Sequence, residues 1–393
     1  MLFQTRRVFG PVSSGNLIMP PNSLYILYVA YPLLSVNQQS AGGAEQMLLT
    51  VEREMIARGH RTTVAAANGS RVCGELLATG EPARTHDDYE RRENEHNARI
   101  LDYLRRHPGD FDLIHDNSGS FFRHAAECPL PVLATLHLPR AFYRVDWFVD
   151  TVAVRVQRMA ANPGHQESAD ALSNLYFNCV SQSQAQTFTD LASMIGVVQN
   201  GIVAEQFPVT RDKQNYLLWL GRICEEKAPH LAIAAAQRAG LPLVLAGQIY
   251  PFSYHRAYFE REIQPHLTNG SRVRFIDTPS CSKKQTLLQH ARALLLTSTV
   301  EETSSLVAME AMACGTPVVA FRRGAFPEVV ADGETGFIVD AIEEMVSALA
   351  AVGSLSPEKC RQRVQRHFSA SRMAQDYYEL YRRVLTSAKE SAA

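Results

Sequence analysis

The stretch "EETSSLVAMEAMACGTPVV", residues 301–319, places carboxylates at Glu302 and Glu310, eight positions apart, with the hydroxyl run Thr303-Ser304-Ser305 between them. Glu310 is flanked by "LVAM" and "AMACG", surroundings that bury a side chain, and a buried acid without a partner or ligand is costly. A carboxylate accepts two vicinal hydroxyl donors, which an apolar residue cannot do. Thr303 or Ser304 is placed to cap the following helix by accepting from its first free amides. The amides around Ser305, Leu306 and Val307 then point outward with the positive end of the helix dipole behind them, an anion site suited to phosphate. If the whole stretch is helical, the two acids lie about 12 Å apart along the axis. That span separates the sugar and ribose ends of a diphosphate-linked sugar nucleotide. The plainer alternative is a solvated loop at Glu301-Glu302 and a surface acid at Glu310.

A second group is "LGRICEEKAPH", in which Arg222 follows a strand and Lys227 opens the next helix. Arg offers a planar fork to phosphate oxygens and Lys a point charge, so the pair suits a diphosphate without a metal. A third is "SAGGAEQ", where Gly42 and Gly43 lie between a strand and a helix and let backbone approach a ligand. The G-x-G-x-x-G dinucleotide spacing is absent. His115 in "DLIHD" and His137 in "LATLHLP" each end a strand, although an isolated histidine is usually structural. Asp110-Phe111-Asp112 resembles a two-acid metal motif but precedes its strand, at the wrong end of a sheet, and reads as a turn. No G-x-x-x-x-G-K-[ST], H-E-x-x-H or G-x-S-x-G occurs.

The elements that must hold these residues alternate. "SLYILYVAYP", "RTTVAAANG", "FDLIHD", "LPVLATLH" and "LYFNCVS" read as strands, with "GGAEQMLLTVEREMIARGH" a helix that presents Met47, Leu48, Val51 and Met55 on one face. The series restarts with "NYLLWLGR", "LPLVLAGQ", "SRVRFID", "ARALLLTS" and "TPVVAF", and with the helix "KAPHLAIAAAQRAG". Strand–helix alternation predicts parallel sheets covered by helices. Two series predict two doubly wound domains rather than one very wide sheet. The boundary falls near 200–212, where Asn200-Gly201 is a tight-turn dipeptide. Met373, Tyr377, Leu380 and Val384 recur at helical spacing and predict a C-terminal packing helix.

Size and composition agree. The 393 residues suffice for about two domains, and 46% hydrophobic with 20% charged residues describes a globular chain. A net charge of −1 argues against a general nucleic-acid binder. Seven scattered cysteines with no C-x-x-C pair exclude a complete disulfide framework, disfavour zinc and suit a reducing cytoplasm. No apolar run reaches the ~18–20 residues of a membrane span. Residues 1–23 lack a signal-peptide core and read as a flexible tail rather than a transit peptide. The Arg-rich "YERRENEHNARILDYLRRH" also carries acids and reads as a solvated helix rather than a membrane surface.

With these residues in hand, the chain resembles the retaining glycosyltransferases of family 4 from about residue 24 to 385. Glu302 through Glu310 matches the family's E-x7-E signature, followed by "AMACGTPVVAFRRGAFPEVVADGETGFIV"; "GRICEEKAPHLAI" resembles its pyrophosphate-binding segment and "AGGAE" its N-terminal glycine loop. The resemblance implies an α/β GT-B fold, two Rossmann-like doubly wound domains facing a central cleft. Its implied division is a tail at 1–23, an acceptor-side domain at 24–204, a nucleotide-sugar domain at 205–370, and a helix at 371–393 crossing back. It further implies metal-independent transfer of a hexosyl unit from a UDP- or GDP-sugar, without cofactor, to an unidentified sugar, lipid or small-molecule acceptor in the cytoplasm. His137, Arg222, Lys227 and Glu302 would form the catalytic set. Gly42, Gly43, Arg222, Lys227, Glu302, Ser305, Leu306, Val307 and Glu310 would hold the donor, Glu310 on the ribose. The family commonly has a glycine where Thr303-Ser304-Ser305 stands and another where Asp277 stands. An epimerase or phosphorylase on the same fold, or a degenerate nucleotide-sugar binder, are the alternative functions.

Overall fold

The computed structural model describes residues 23–392 except 33, 38–39, 41, 84–85, 145–146, 149–173, 190, 192–193 and 251; the expected tail at 1–23 lies, but for Ser23, outside the described residues. Among these, the apolar runs form two parallel sheets. The first comprises β1 (Tyr25–Val29), β2 (Arg61–Ala66), β3 (Glu75–Ala78), β4 (Leu113–Asp116), β5 (Val132–Leu136), β6 (Leu175–Cys179) and β7 (Met194–Val197), in the order β3-β2-β1-β4-β5-β6-β7. The second comprises β8 (Leu217–Leu220), β9 (Leu243–Gly247), β10 (Val273–Asp277), β11 (Ala293–Leu296), β12 (Val318–Phe321) and β13 (Gly336–Val339), ordered β10-β9-β8-β11-β12-β13. The central strands are buried along their whole length, as near-continuous hydrophobic strands covered on both faces must be. β3, β7 and β13 were not expected as strands. All three are four-residue edges, where pairing on one side demands less apolar sequence.

In each sheet the chain reverses its direction of progress once, between β1 and β4 and between β8 and β11. Crevices at the C-terminal ends of the strands open at such switch points.

The helix Ala370–Ala392 packs on the first sheet. Its Met373, Tyr377, Leu380 and Val384 are buried at the predicted spacing. The Tyr381 hydroxyl meets His115 Nδ1 at 2.7 Å and the Tyr28 hydroxyl at 3.2 Å, and the Tyr377 hydroxyl meets Thr135 Oγ1 at 3.2 Å. His115 also meets Thr135 through Nε2 at 2.7 Å, so this fully buried histidine is a packing element. The two passages between the halves run side by side: Ile202 N donates to Phe368 O at 2.8 Å and Ala370 N to Ile202 O at 2.9 Å. Glu328 adds a clamp, accepting from the amides of Gln182 at 2.9 Å and Ser183 at 2.7 Å.

The Arg-rich segment forms the helix His86–Arg106, with Ile100, Leu101 and Leu104 inward and Arg91 and Arg92 paired to Glu95. Among the described residues no helix is long and apolar enough to cross a membrane.

Two predictions follow from the buried hydroxyl–imidazole chain. Tyr381→Phe strands His115 Nδ1 in the core and is expected to lower stability by about 1–3 kcal/mol in urea denaturation. Burial pushes the His115 imidazolium down to about 3, whereas an unfolded histidine titrates near ~6.5. The unfolded chain therefore takes up this proton first. The stabilisation is complete above about pH 6.5 and is lost as pH falls toward 3. His115→Gln should reduce the drop in urea midpoint between about pH 7 and pH 5 relative to the parent chain.

Candidate active site

The cationic side of the site begins where β8 ends. Gly221 and Arg222 follow it directly, and the Arg222 guanidinium lies 5.5 Å from the Tyr250 ring centre, with Nη2 donating to Glu226 Oε1 at 3.1 Å. A single 3-10 turn, Glu225–Lys227, then brings Lys227 back to the same edge. Lys227 closes this turn rather than opening a helix, because the helix begins at Pro229. Between them Ala228 is fully buried with φ +47°, a left-handed conformation that costs a non-glycine residue roughly 1–2 kcal/mol. The end of β11 holds this turn in place. Thr297 Oγ1 donates to Ala228 O at 2.8 Å, and Ser298 Oγ and Thr299 N donate to Glu226 O at 3.1 and 2.9 Å.

The carboxylate side follows β11. Lys227 Nζ donates to Glu302 Oε1 at 2.5 Å, pairing two half-buried groups. Glu302 itself is set by the 322–325 loop: Ala325 N donates to Glu302 O at 2.7 Å, and Gly324 N donates to the Glu301 carboxylate. Gly324 has φ +51°, and a Cβ there would stand 2.2 Å from Glu302 O, so only glycine fits.

The cap of the next helix, Leu306–Ala313, is Ser305, whose hydroxyl accepts from Ala308 N at 3.3 Å. The expectation of Thr303 or Ser304 is corrected. The chain stays non-helical through Ser305, and Thr303 instead donates to His137 O at 2.8 Å, bridging to the first half. The helical span expected between Glu302 and Glu310 is corrected with it. Only the four steps from Leu306 to Glu310 are helical, about 6 Å of rise.

Glu310 is buried, 5% exposed. Its Oε1 accepts from Lys284 Nζ at 2.6 Å, while Oε2 has no hydrogen-bond partner among the described residues. Desolvation raises its carboxyl above the usual range, against the pull of Lys284. Lys284 was missed in the sequence. It stands with Lys283 in the first turn of the helix Cys281–His290, where cations oppose the helix dipole. Two lysines in that position are a signal, unread in the sequence, of an anionic partner.

A cavity of about 850 Å³ joins these groups. Arg222, Lys227, Glu302, Ser305, Leu306, Val307, Glu310 and Lys284 line it from the second half, and Gly43 lines it from the first. A Cβ on Gly43 would lie 3.5 Å from Leu306 Cδ1, so the two halves approach closely here. Two expected residues are not among its walls. Gly42 is the residue before the helix Gly43–Ala57 and leaves room for the Glu45 carboxylate, which a Cβ would meet at 1.9 Å. His137, just past β5, meets Asn117 Oδ1 through Nε2 at 3.1 Å, and desolvation lowers its imidazolium to about 4. It touches the 303–305 segment through its carbonyl, not its ring.

Such a cavity sets cations and a helix amino end, which suit an anion, beside carboxylates that can accept from hydroxyl donors. Comparison with known proteins identifies the family. Residues 41–206 match the model described as Glycosyltransferase Family 4, and residues 204–367 the model described as Glycosyl transferases group 1. The D-inositol 3-phosphate glycosyltransferase of Mycolicibacterium smegmatis is 32% identical over 194 residues, 45% of this chain. The matched stretch spans less than half of that relative, 44% of its length. Among solved structures, the sucrose-phosphate synthase of Thermosynechococcus elongatus superposes with a TM-score of 0.70 at 19% identity, covering 93% of this chain and 100% of that one. HepE of Anabaena, in complex with UDP and glucose, gives 0.67 at 16% identity, over 91% and 99%. These likenesses support the expected GT-B arrangement of two α/β domains. The two family models together run from residue 41 to residue 367, and the chain belongs to the family 4 glycosyltransferases.

Proposed function

We propose that this chain transfers a hexosyl unit from a nucleoside diphosphate sugar, UDP- or GDP-linked, to a hydroxyl acceptor held by the first half, with retention and without a metal at the diphosphate. The unpartnered Oε2 of buried Glu310 carries the reading. It sits in the wall of a cavity whose other groups are Arg222, Lys227 and the amino end of the 306–313 helix. A carboxylate oxygen held in that state is stabilised by hydroxyl donors such as those of a ribose.

In this reading the diphosphate lies against Arg222, Lys227 and the amides of Leu306 and Val307. Its arrival competes with Glu302 for Lys227 and frees Glu302 to accept from the sugar hydroxyls. The bond between the anomeric carbon and the phosphate oxygen breaks as the acceptor oxygen bonds to that carbon on the same face. The acceptor's proton passes to the departing phosphate, whose developing charge the cations and amides already face. His137 reaches the sugar when the halves close, which also excludes water. UDP bound in a structural neighbour makes uridine the first base to test.

A thermal-shift panel of UDP, GDP, ADP and TDP sugars tests the assignment. One series should raise the melting temperature in proportion to saturation. Arg222→Ala and Glu310→Ala are each expected to weaken that ligand about tenfold to a hundredfold, from the ~1.5–3 kcal/mol of a charge-assisted hydrogen bond. Unchanged affinity in both variants would contradict the assignment. Gly324→Ala should weaken donor binding without touching it, by displacing Glu302, and calorimetric titration of the nucleotide measures this. Lys284→Met leaves Glu310 unpaired and should lower stability by on the order of 1–3 kcal/mol in urea.

A further inference from the structure

Next to the donor cavity, Cys224, Glu226 and His255 bring a thiol, a carboxylate and an imidazole together, their donor atoms all within 4.8 Å of one another. None of the three lines the cavity, although Arg222 does. The topology explains the meeting. Cys224 and Glu226 lie in the turn after β8, and His255 lies on the helix Ser253–Tyr258 after β9, the neighbouring parallel strand.

His255 is the telling residue. It is 1% exposed, and neither ring nitrogen has a hydrogen-bond partner among the described residues. Its surroundings are the rings of Tyr250, Phe252 and Tyr254, centred 6.1, 5.4 and 4.4 Å away. Burying an imidazole with no partner is costly, and a metal ion satisfies such a nitrogen as well as a proton donor does. Cys224 is also fully buried; its S–H lies 3.5 Å from Arg222 O and also within hydrogen-bonding reach of the Glu226 carboxylate.

We propose that Cys224, Glu226 and His255 form a binding site for a zinc-like divalent cation that fixes the turn carrying Arg222 and Lys227. One sulfur, one nitrogen and one oxygen donor suit a borderline-soft ion with a fourth position open to water. Thiolate and carboxylate together balance its two positive charges. Bonds of about 2.0–2.3 Å imply donor separations of ~3.3–3.8 Å, so donors standing up to 4.8 Å apart close by at most about 1.5 Å on binding. Burial raises the Cys224 thiol to about 11, so the ion displaces a proton from sulfur to solvent. Glu226 already bonds Arg222 at 3.1 Å, and bound to the ion it would bridge the site to the guanidinium.

The test uses the full chain titrated with Co2+, whose bond to a thiolate gives a charge-transfer absorption. The expected result is a band that saturates at one equivalent and disappears when Zn2+ is added. Cys224→Ser should abolish it, His255→Gln should weaken Co2+ binding at least about tenfold, and Cys73→Ser, at an exposed thiol, should leave it intact. Glu226→Gln serves as the variant least disruptive to packing and should also weaken binding. No band in the parent chain, a band that survives Cys224→Ser, or equal affinity in Glu226→Gln and the parent chain would overturn the proposal. The readout does not depend on transferase activity.

Discussion

Parallel strands all end on one edge of their sheet, and the fold depends on what happens where the chain changes its direction of progress along that edge. Between β8 and β11 the following segments diverge and leave a gap at the C-terminal ends of the strands. The diphosphate side of the cavity is built at that gap: Arg222 and Lys227 leave from β8, and Glu302 and the 306–313 helix leave from β11. The bonds from Thr297, Ser298 and Thr299 to the 226–228 turn tie the two departures together. The cations and the acids are thereby held by one hydrogen-bonded frame, not by independent loops.

Three cations of the cavity are paired with acids before any ligand enters. Lys227 is matched by Glu302, Arg222 by Glu226, and Lys284 by Glu310. In the proposed binding mode a diphosphate displaces Glu302 from Lys227 and exchanges one anionic partner for another, so the lysine is not stripped of charge pairing at any stage. The released Glu302 then faces the sugar hydroxyls. Such exchange accounts for acids and bases standing so close together in a site proposed to bind an anion.

Much of this was legible in the sequence because burial on both faces forces long apolar runs. The central strands announced themselves as "YILYV", "VLATL" and "LVLAG", whereas the edges β3, β7 and β13 are short and pair on one side only. Glu310 was legible because an acid inside "LVAMEAMACG" has no cheap burial. Its partner Lys284 was not singled out, because the ion pair joins residues 26 positions apart on different helices. The helix cap was placed one or two residues early, since Thr303, Ser304 and Ser305 are chemically interchangeable caps and only tertiary contact with His137 O decides among them. Cys224 and His255 carried no signal, because the proposed ligands come from the segments that follow two neighbouring strands and leave no short spacing to recognise.

The central claim is that one hollow holds a diphosphate at its cationic side and a ribose at Glu310. A crystal structure with a bound nucleoside diphosphate tests it most directly. The account predicts phosphate oxygens within hydrogen-bond distance of Arg222, Lys227 and the Leu306–Val307 amides, with ribose hydroxyls on the Glu310 oxygen that has no protein partner. A nucleotide bound elsewhere, or one whose ribose leaves that oxygen untouched, would contradict it.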